Sequence, residues 1–481
     1  MRSAAVPGGG VEAVMGAGVP SEKAQAVAGA AIIGPGVRRR QRERTRANPA
    51  PLESALPSPH APERCMPRIE TLAARAGSRP DPTSGALSVP LQLATTFEHT
   101  PDGQLPQGWL YQRYDNPTQQ ETEQALAALD GAARALLFPT GMAAGATALQ
   151  ALPPGSHVVL CDDSYFSFRA LAAQQFPRWG LTWSLADFSD ADAVRAALRP
   201  ETRLLWAETP SNPLLKVCDI AALAGIAHAA GAQLLVDGTF APPVLQQPLA
   251  LGADIVLHSA TKYLGGHGDV MGGVLAFRED GAHAADCHGL RLLAGATASP
   301  FAAWMILRGV RTLPARMAWH CANAKQIAEA LQAHPRVARV HYPGLPDHPQ
   351  HAVAAAQMRD FGGMLSFEVD GGEAAALAVA GRLRLFTNAT SLGSTESLVE
   401  HRASIEGPTS TTPRGLLRLS VGLEHVEEGP RGHRDQIAGS RRLGRHRIGC
   451  AAQGDRFAET LATRHHAHHR LGPVGGDAVK L

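Results

Sequence analysis

The sequence predicts an α/β fold: a mostly parallel central sheet flanked by helices, followed by a smaller α/β C-terminal domain. Three observations predict it. Short apolar runs ending in polar residues recur between residues 157 and 277. Amphipathic segments of crossover-helix length separate them. The pattern then resets near residue 311, where a long helical stretch opens a second group of strands.

The elements follow in order. TQQETEQALAALDG (118–131) is amphipathic, with Leu126 and Leu129 at helical spacing. HVVLCDD (157–163) is a continuous apolar run ending in acids, as expected of a buried parallel strand. SYFSFRALAAQQF (164–176) reads as a helix. LTWSLAD (181–187) and RLLWAETP (203–210) read as strands with a helix near 190–199 between them. DIAALAGIAHAAG (219–231) is a helix that Gly231 stops. AQLLVDGTF (232–240), DIVLHSATK (254–262) and GGVLAF (272–277) complete the run. The second unit holds a helix near 314–333 and strands RVARVHYPG (336–344) and FGGMLSFEV (361–369). The helix EAAALAVAGRL (373–383) and the strand LLRLSVGLE (416–424) close it. Ligands of such sheets sit beyond the carboxyl ends of the strands. Asp162, Glu208, Asp237 and the segment Ser259–Lys262 are therefore the polar candidates.

Composition narrows the function. Of 481 residues, 44% are hydrophobic and 18% charged, enough for a large core. The 45 basic and 43 acidic residues leave a net charge of +2, which argues against a nucleic-acid or membrane-surface protein. No run approaches the ~20 apolar residues of a membrane span. The apolar stretch Ala24–Ile33 precedes Arg38–Arg40, the reverse of a secretory signal. Six scattered cysteines without a CxxC pair suggest neither a disulfide scaffold nor a zinc site, and fit a reducing cytoplasm. The cluster HHAHH (465–469) holds imidazoles that suit transition metals, but a flexible basic tail is the expected reading and no metal site is assigned. Only Lys23, Lys216, Lys262, Lys325 and Lys480 are lysines. A GC-rich coding sequence explains that scarcity, and it leaves few candidates for amine chemistry.

Lys262 is the strongest of them. It follows an apolar strand, beside Ser259 and Thr261, in HSATKYLGGHGDVMGG (258–273). Burial lowers a lysine's proton affinity and makes the amine a nucleophile for carbonyl compounds, pyridoxal phosphate among them. The neighbouring hydroxyls can donate to a phosphate. Taken alone, S-x-T-K reads as a strand-end lysine reaching solvent. Asp237, 25 residues earlier at the end of LLVD, shifts the balance. A pyridoxal phosphate ring needs an acid at its nitrogen to act as an electron sink. FPTGMAAGATALQAL (138–152) adds a turn running into a helix, where the amides of Gly141 and Met142 are free to bind phosphate.

The core, from about Ile69 to Glu427, resembles the cysteine/methionine-metabolism family of pyridoxal-phosphate enzymes. That family includes cystathionine γ-synthase, cystathionine β- and γ-lyases, methionine γ-lyase and O-acetylhomoserine sulfhydrylase. TTF (95–97), YQRYDNPTQ (111–119), PTGMAA (139–144), AETPSNPLL (207–215), VDGTF (236–240), HSATKYLGGHGD (258–269), TSLGSTESL (390–398) and LLRLSVGLE (416–424) stand in family order. The resemblance implies an aspartate-aminotransferase-like (type I) pyridoxal-phosphate fold. Residues 66–125 would form an arm to a neighbouring subunit, 126–310 the cofactor domain and 311–427 the small domain. It implies that Lys262 carries the cofactor as a Schiff base and then moves protons, with Tyr111 or Tyr165 assisting. Asp237 would pair with the ring nitrogen, Tyr165 stack on the ring, and Gly141, Met142, Ser259 and Thr261 hold the phosphate. Tyr111 and Arg113 would reach a neighbouring subunit's phosphate, so a dimer of active dimers, a homotetramer, is expected. Asn212 would lie near the ring and the substrate carboxylate. Arg418, helped by Ser391, would bind the α-carboxylate of an amino-acid substrate. The implied reaction is γ-replacement, or β- or γ-elimination, on a sulfur amino acid or O-acylhomoserine. A sulfhydrylase, or an impaired homologue that only binds cofactor, is the alternative.

Several positions depart from the pattern. Gly238 stands where relatives often carry Asn, and Phe166-Ser167-Phe168 follows Tyr165. Ser167 argues against methionine cleavage, since methionine γ-lyases resemble one another in a Cys there. Thr390 replaces a glutamate thought to recognise a distal amino group, which weighs against γ-synthase and γ-lyase. VEHRASIEGP (399–408) differs from the usual HPAS-containing stretch. Residues 1–65 are expected to be a disordered or extraneous extension, with Met66 a natural start. Residues 428–481 read as an atypical, frame-shifted tail in place of a closing helix.

Overall fold

Two sheets organise the chain in the computed structural model, which describes residues 67–408 and 410–425. The expectations for 1–65 and 428–481, the histidine cluster included, lie outside the described residues. The first sheet contains β1 (Arg134–Phe138), β2 (His157–Cys161), β3 (Thr182–Ala186), β4 (Thr202–Glu208), β5 (Gln233–Asp237), β6 (Ile255–His258) and β7 (Gly273–Phe277). Its spatial order is β1-β7-β6-β5-β4-β2-β3. Only β7 runs antiparallel, between β1 and β6. The sequence reading missed β1, whose five residues RALLF carry no alternation and lead straight into the next turn.

The strands are apolar on both sides because helices cover both faces. Period-two alternation divides the core. Leu204 and Trp206 of β4 join Phe138, Leu160, Leu235 and Leu257 on one face. Leu205 and Ala207 join Val159, Leu234 and Val236 on the other.

The helices are α1 (Ile69–Ala74), α2 (Pro117–Asp130), α3 (Gly141–Gln150), α4 (Phe166–Trp179), α5 (Ala191–Ala197), α6 (Ile220–Ala229), α7 (Ala282–Ala294), α8 (Pro300–Val310), α9 (Leu313–Gln332), α10 (His351–Gln357), α11 (Gly372–Ala380) and α12 (Arg402–Glu406). Their ends follow local chemistry. Asn116 accepts from the Thr118 amide and Pro117 opens α2, with Gly131 left-handed beyond it. Thr140 caps α3 through the Ala143 amide, and Asp219 caps α6 through that of Ala222. Gly231, at φ +66°, follows α6 as its sequence implies.

The second sheet contains β8 (Val337–His341), β9 (Met364–Val369), β10 (Thr387–Asn388), β11 (Leu398–Glu400) and β12 (Leu416–Ser420), in order β10-β11-β12-β9-β8. All its pairings are antiparallel except β10 with β11. Ile327 and Leu331 of α9 and Ala376 of α11 pack with Phe367, Leu417 and Leu419 of this sheet.

Candidate active site

A cavity opens where the carboxyl ends of β4, β5 and β6 meet the start of α3 and the β10–β12 side of the second sheet. It is lined by Gly141, Met142, Tyr165, Asn212, Asp237, Ser259, Thr261, Lys262, Ser391 and Arg418, all but two of the residues to which the family resemblance gives a role. Tyr111 and Arg113 are the two outside it. Tyr111 is 44% exposed, and Arg113 donates to the Leu292 carbonyl at 3.0 Å while its guanidinium lies over the Tyr114 ring. Asp162, at the end of β2, also stays out: its carboxylate pairs with Lys216 at 3.1 Å. The sequence pattern places a polar residue at a strand end but not the direction of its side chain.

Asp237 and Glu208 stand side by side in the β4–β5 register. Burial pushes the Asp237 carboxyl up, against a hydrogen bond from the Thr239 amide at 3.0 Å. Burial and the neighbouring Asp237 push Glu208 well above the ordinary carboxylate range. Glu208 accepts from the Tyr165 amide at 2.7 Å. This bond holds Tyr165 at the N-cap of α4, outside the helix that the sequence pattern extends over it.

Lys262 donates to the Ser391 hydroxyl at 2.8 Å. Its amine is pushed down to about 8, first by burial and then by the positive charge of Arg418. Ser391 holds a left-handed backbone, φ +108°, that costs a non-glycine residue on the order of 1–3 kcal/mol. Arg418, buried on the central strand β12, donates to Asn212 Oδ1 at 3.0 Å, the Ser391 carbonyl at 3.1 Å and Glu400 Oε2 at 2.7 Å. Asn212 is fixed in turn by its amide bond to the Asp163 carbonyl at 3.2 Å.

The residues fit pyridoxal phosphate. The first-turn amides of Gly141 and Met142 have no acceptor within the helix. A Cβ on Gly141 would come within 3.0 to 3.2 Å of Ser259, a tight contact that a bare backbone beside that hydroxyl avoids. A buried carboxylate suits a ring nitrogen carrying a proton, because the nitrogen's positive charge offsets the cost of burying the anion. A buried amine of lowered basicity suits a carbonyl carbon. Thr261 is partly engaged, since its hydroxyl donates to the Gly272 carbonyl at 3.2 Å. Gly238 is explained by its neighbour. A Cβ there would approach His258 Cε1 at 3.0 Å, and His258 is held by Asp130 at 3.0 Å.

Thr140, Phe168, Thr239, Phe240, Leu257, Thr390, Leu392 and Arg402 also line the cavity. Thr239 was legible from its place two residues after Asp237. Glu400 and Arg402 carried no signal beyond being charged residues in an unusual stretch.

This lysine, aspartate and anion cradle define a cofactor-dependent enzyme of the type I fold. The chain belongs to the Cys/Met metabolism PLP-dependent enzyme family, whose model matches residues 70–429. It is 46% identical over 364 residues to a cystathionine gamma-synthase of Mycobacterium tuberculosis, covering 74% of this chain and 94% of that one. A cystathionine beta-lyase of Coxiella burnetii is 44% identical over 369 residues, covering 75% and 95%. The crystal structure of cystathionine gamma synthase from Xanthomonas oryzae pv. oryzae in complex with cystathionine superposes with a TM-score of 0.73 at 40% identity, covering 77% and 97%. The four cysteines among the described residues are free and buried, and no described helix is long and apolar enough to cross a membrane.

Proposed function

We propose that this chain is a pyridoxal-phosphate-dependent trans-sulfuration enzyme that catalyses γ-replacement or elimination on an O-acylhomoserine or cystathionine. The observation that carries the proposal is one cavity holding Lys262, Asp237 and Arg418 together. Pyridoxal phosphate, when bound, supplies the electron sink that makes a substrate Cα proton removable.

Each residue has a role that its surroundings support. Lys262 would hold the cofactor's carbonyl carbon. Its amine, when free, would take the Cα proton, and its lowered basicity leaves part of it neutral near pH 7. Asp237 would face the ring nitrogen. Tyr165 would lie on the ring and, with Tyr111, assist proton transfer. Gly141, Met142, Ser259 and Thr261 would hold the phosphate. Arg418 would bind the α-carboxylate, with Ser391 and Asn212 fixing its fork. Tyr111 and Arg113 would serve a neighbouring subunit's site. Their position outside this chain's cavity fits a dimeric active unit; the full assembly would be a homotetramer, with 66–125 as the arm, 126–310 the cofactor domain and 311–427 the small domain. The free buried cysteines support a cytoplasmic location.

The test is direct. Purified protein with cofactor should be yellow and lose that band on borohydride treatment. It should form cystathionine from cysteine and an O-acylhomoserine, or release a keto acid and ammonia from cystathionine. A protein that stays colourless with added cofactor and turns over none of these overturns the proposal.

A further inference from the structure

Two departures from the family pattern line one wall of the cavity, and a third packs against one of them. Thr390 lines it in place of a glutamate. Arg402, from the unusual VEHRASIEGP stretch, lines it beside Arg418. Phe166, from the unusual segment after Tyr165, seats the Arg402 guanidinium 5.3 Å above its ring. Arg402 donates to Glu400 Oε2 at 2.8 Å and to Glu406 Oε1 at 3.0 Å. The same Glu400 oxygen takes Arg418.

We propose that Arg402 is a specificity-determining residue that disfavours substrates whose side chain ends in an ammonium group and favours those ending in a carboxylate or an uncharged ester. Both arginines are buried and both face the cavity, whereas Glu400 and Glu406 stand behind them and do not line it. Glu406 is further engaged by Ser410 at 2.6 Å and Thr412 at 2.9 Å. With Lys262 assigned to the cofactor and Arg418 to the α-carboxylate, the wall shows the far end of a substrate the Arg402 guanidinium. A carboxylate at that end finds a buried guanidinium of opposite charge. An ammonium finds like charge in a poorly screened site, and such juxtaposition is costly. The acids that do line the cavity, Glu208 and Asp237, sit at the strand ends, with Glu208 engaged by Tyr165.

This inference rests on the substrate reading above, and binding separates the two. The cofactor-loaded enzyme is titrated with L-2-aminoadipate, L-norleucine and L-lysine, read by calorimetry and by the absorption change of the bound cofactor. Aminoadipate should bind tightest and lysine weakest, with ends at least about tenfold apart. Arg402→Gln should bring them within about threefold, while Arg402→Lys keeps the order. Should Arg402→Gln fail to fold, Phe166→Leu, which removes the aromatic seat, should narrow the spread. Equal binding of lysine and aminoadipate by the unaltered enzyme overturns the inference, as does an undiminished spread in Arg402→Gln. The expected order without turnover of any O-acylhomoserine or cystathionine refutes only the proposed reaction; turnover with a flat order refutes only the role of Arg402.

Discussion

The amine of Lys262 donates to the hydroxyl of Ser391 across 2.8 Å, joining the end of the first sheet to the strained turn before β11. It is a poorly solvated ammonium beside the Arg418 charge. Lys262→Ala should abolish turnover while leaving the fold intact, as checked by circular dichroism and product assay.

The same lysine sets a pH dependence in the cofactor-free protein. Its folded value, about 8, lies below the unfolded 10.5. The folded state therefore binds fewer protons between these values, and stability rises with pH there. Below pH 8 the full penalty applies, at most about 3 kcal/mol. Lys262→Met should be more stable than the parent at pH 7, with the gain shrinking toward pH 9.5. Urea denaturation at both pH values checks this, and a constant difference would refute it.

Glu208 and Asp237 share a buried corner, and burial together with the neighbouring Asp237 pushes the Glu208 carboxyl well above the ordinary carboxylate range. Glu208→Gln keeps the shape and the oxygen that meets the Tyr165 amide. It should change melting temperature and activity little. Glu208→Ala leaves that amide unpaired and should cost about 1–3 kcal/mol. Thermal unfolding of the two variants distinguishes them.

Gly141→Ala places a methyl within 3.0 to 3.2 Å of Ser259, inside the anion cradle. Cofactor affinity should fall by on the order of tenfold with little loss of apoprotein stability. Titrating apoprotein with pyridoxal phosphate by absorbance measures it.

Gly238→Asn tests the departure next to Asp237. The added Cβ meets the His258 ring at 3.0 Å, and Asp130 prevents that ring from moving away. A loss of about 1–3 kcal/mol in chemical denaturation is expected.

The parts of the site legible in sequence were those that local pattern positions. Asp237 and Lys262 end or follow buried strands, and Gly141 opens a capped helix. Alternating apolar runs determined the parallel sheet, because a strand covered on both faces must be apolar throughout. Asp162 shows the limit: it ends a strand as Asp237 does, yet turns to Lys216. The short β1 and the antiparallel direction of β7 depended on pairing across more than a hundred residues. Only the tertiary structure joined Arg402 to Phe166, where the second sheet packs over the strand ends of the first, and Glu400 to Arg418, which the antiparallel β11–β12 register sets side by side. By itself the sequence determined the chemistry of the lysine and its acid; packing decided which charges face the substrate's far end.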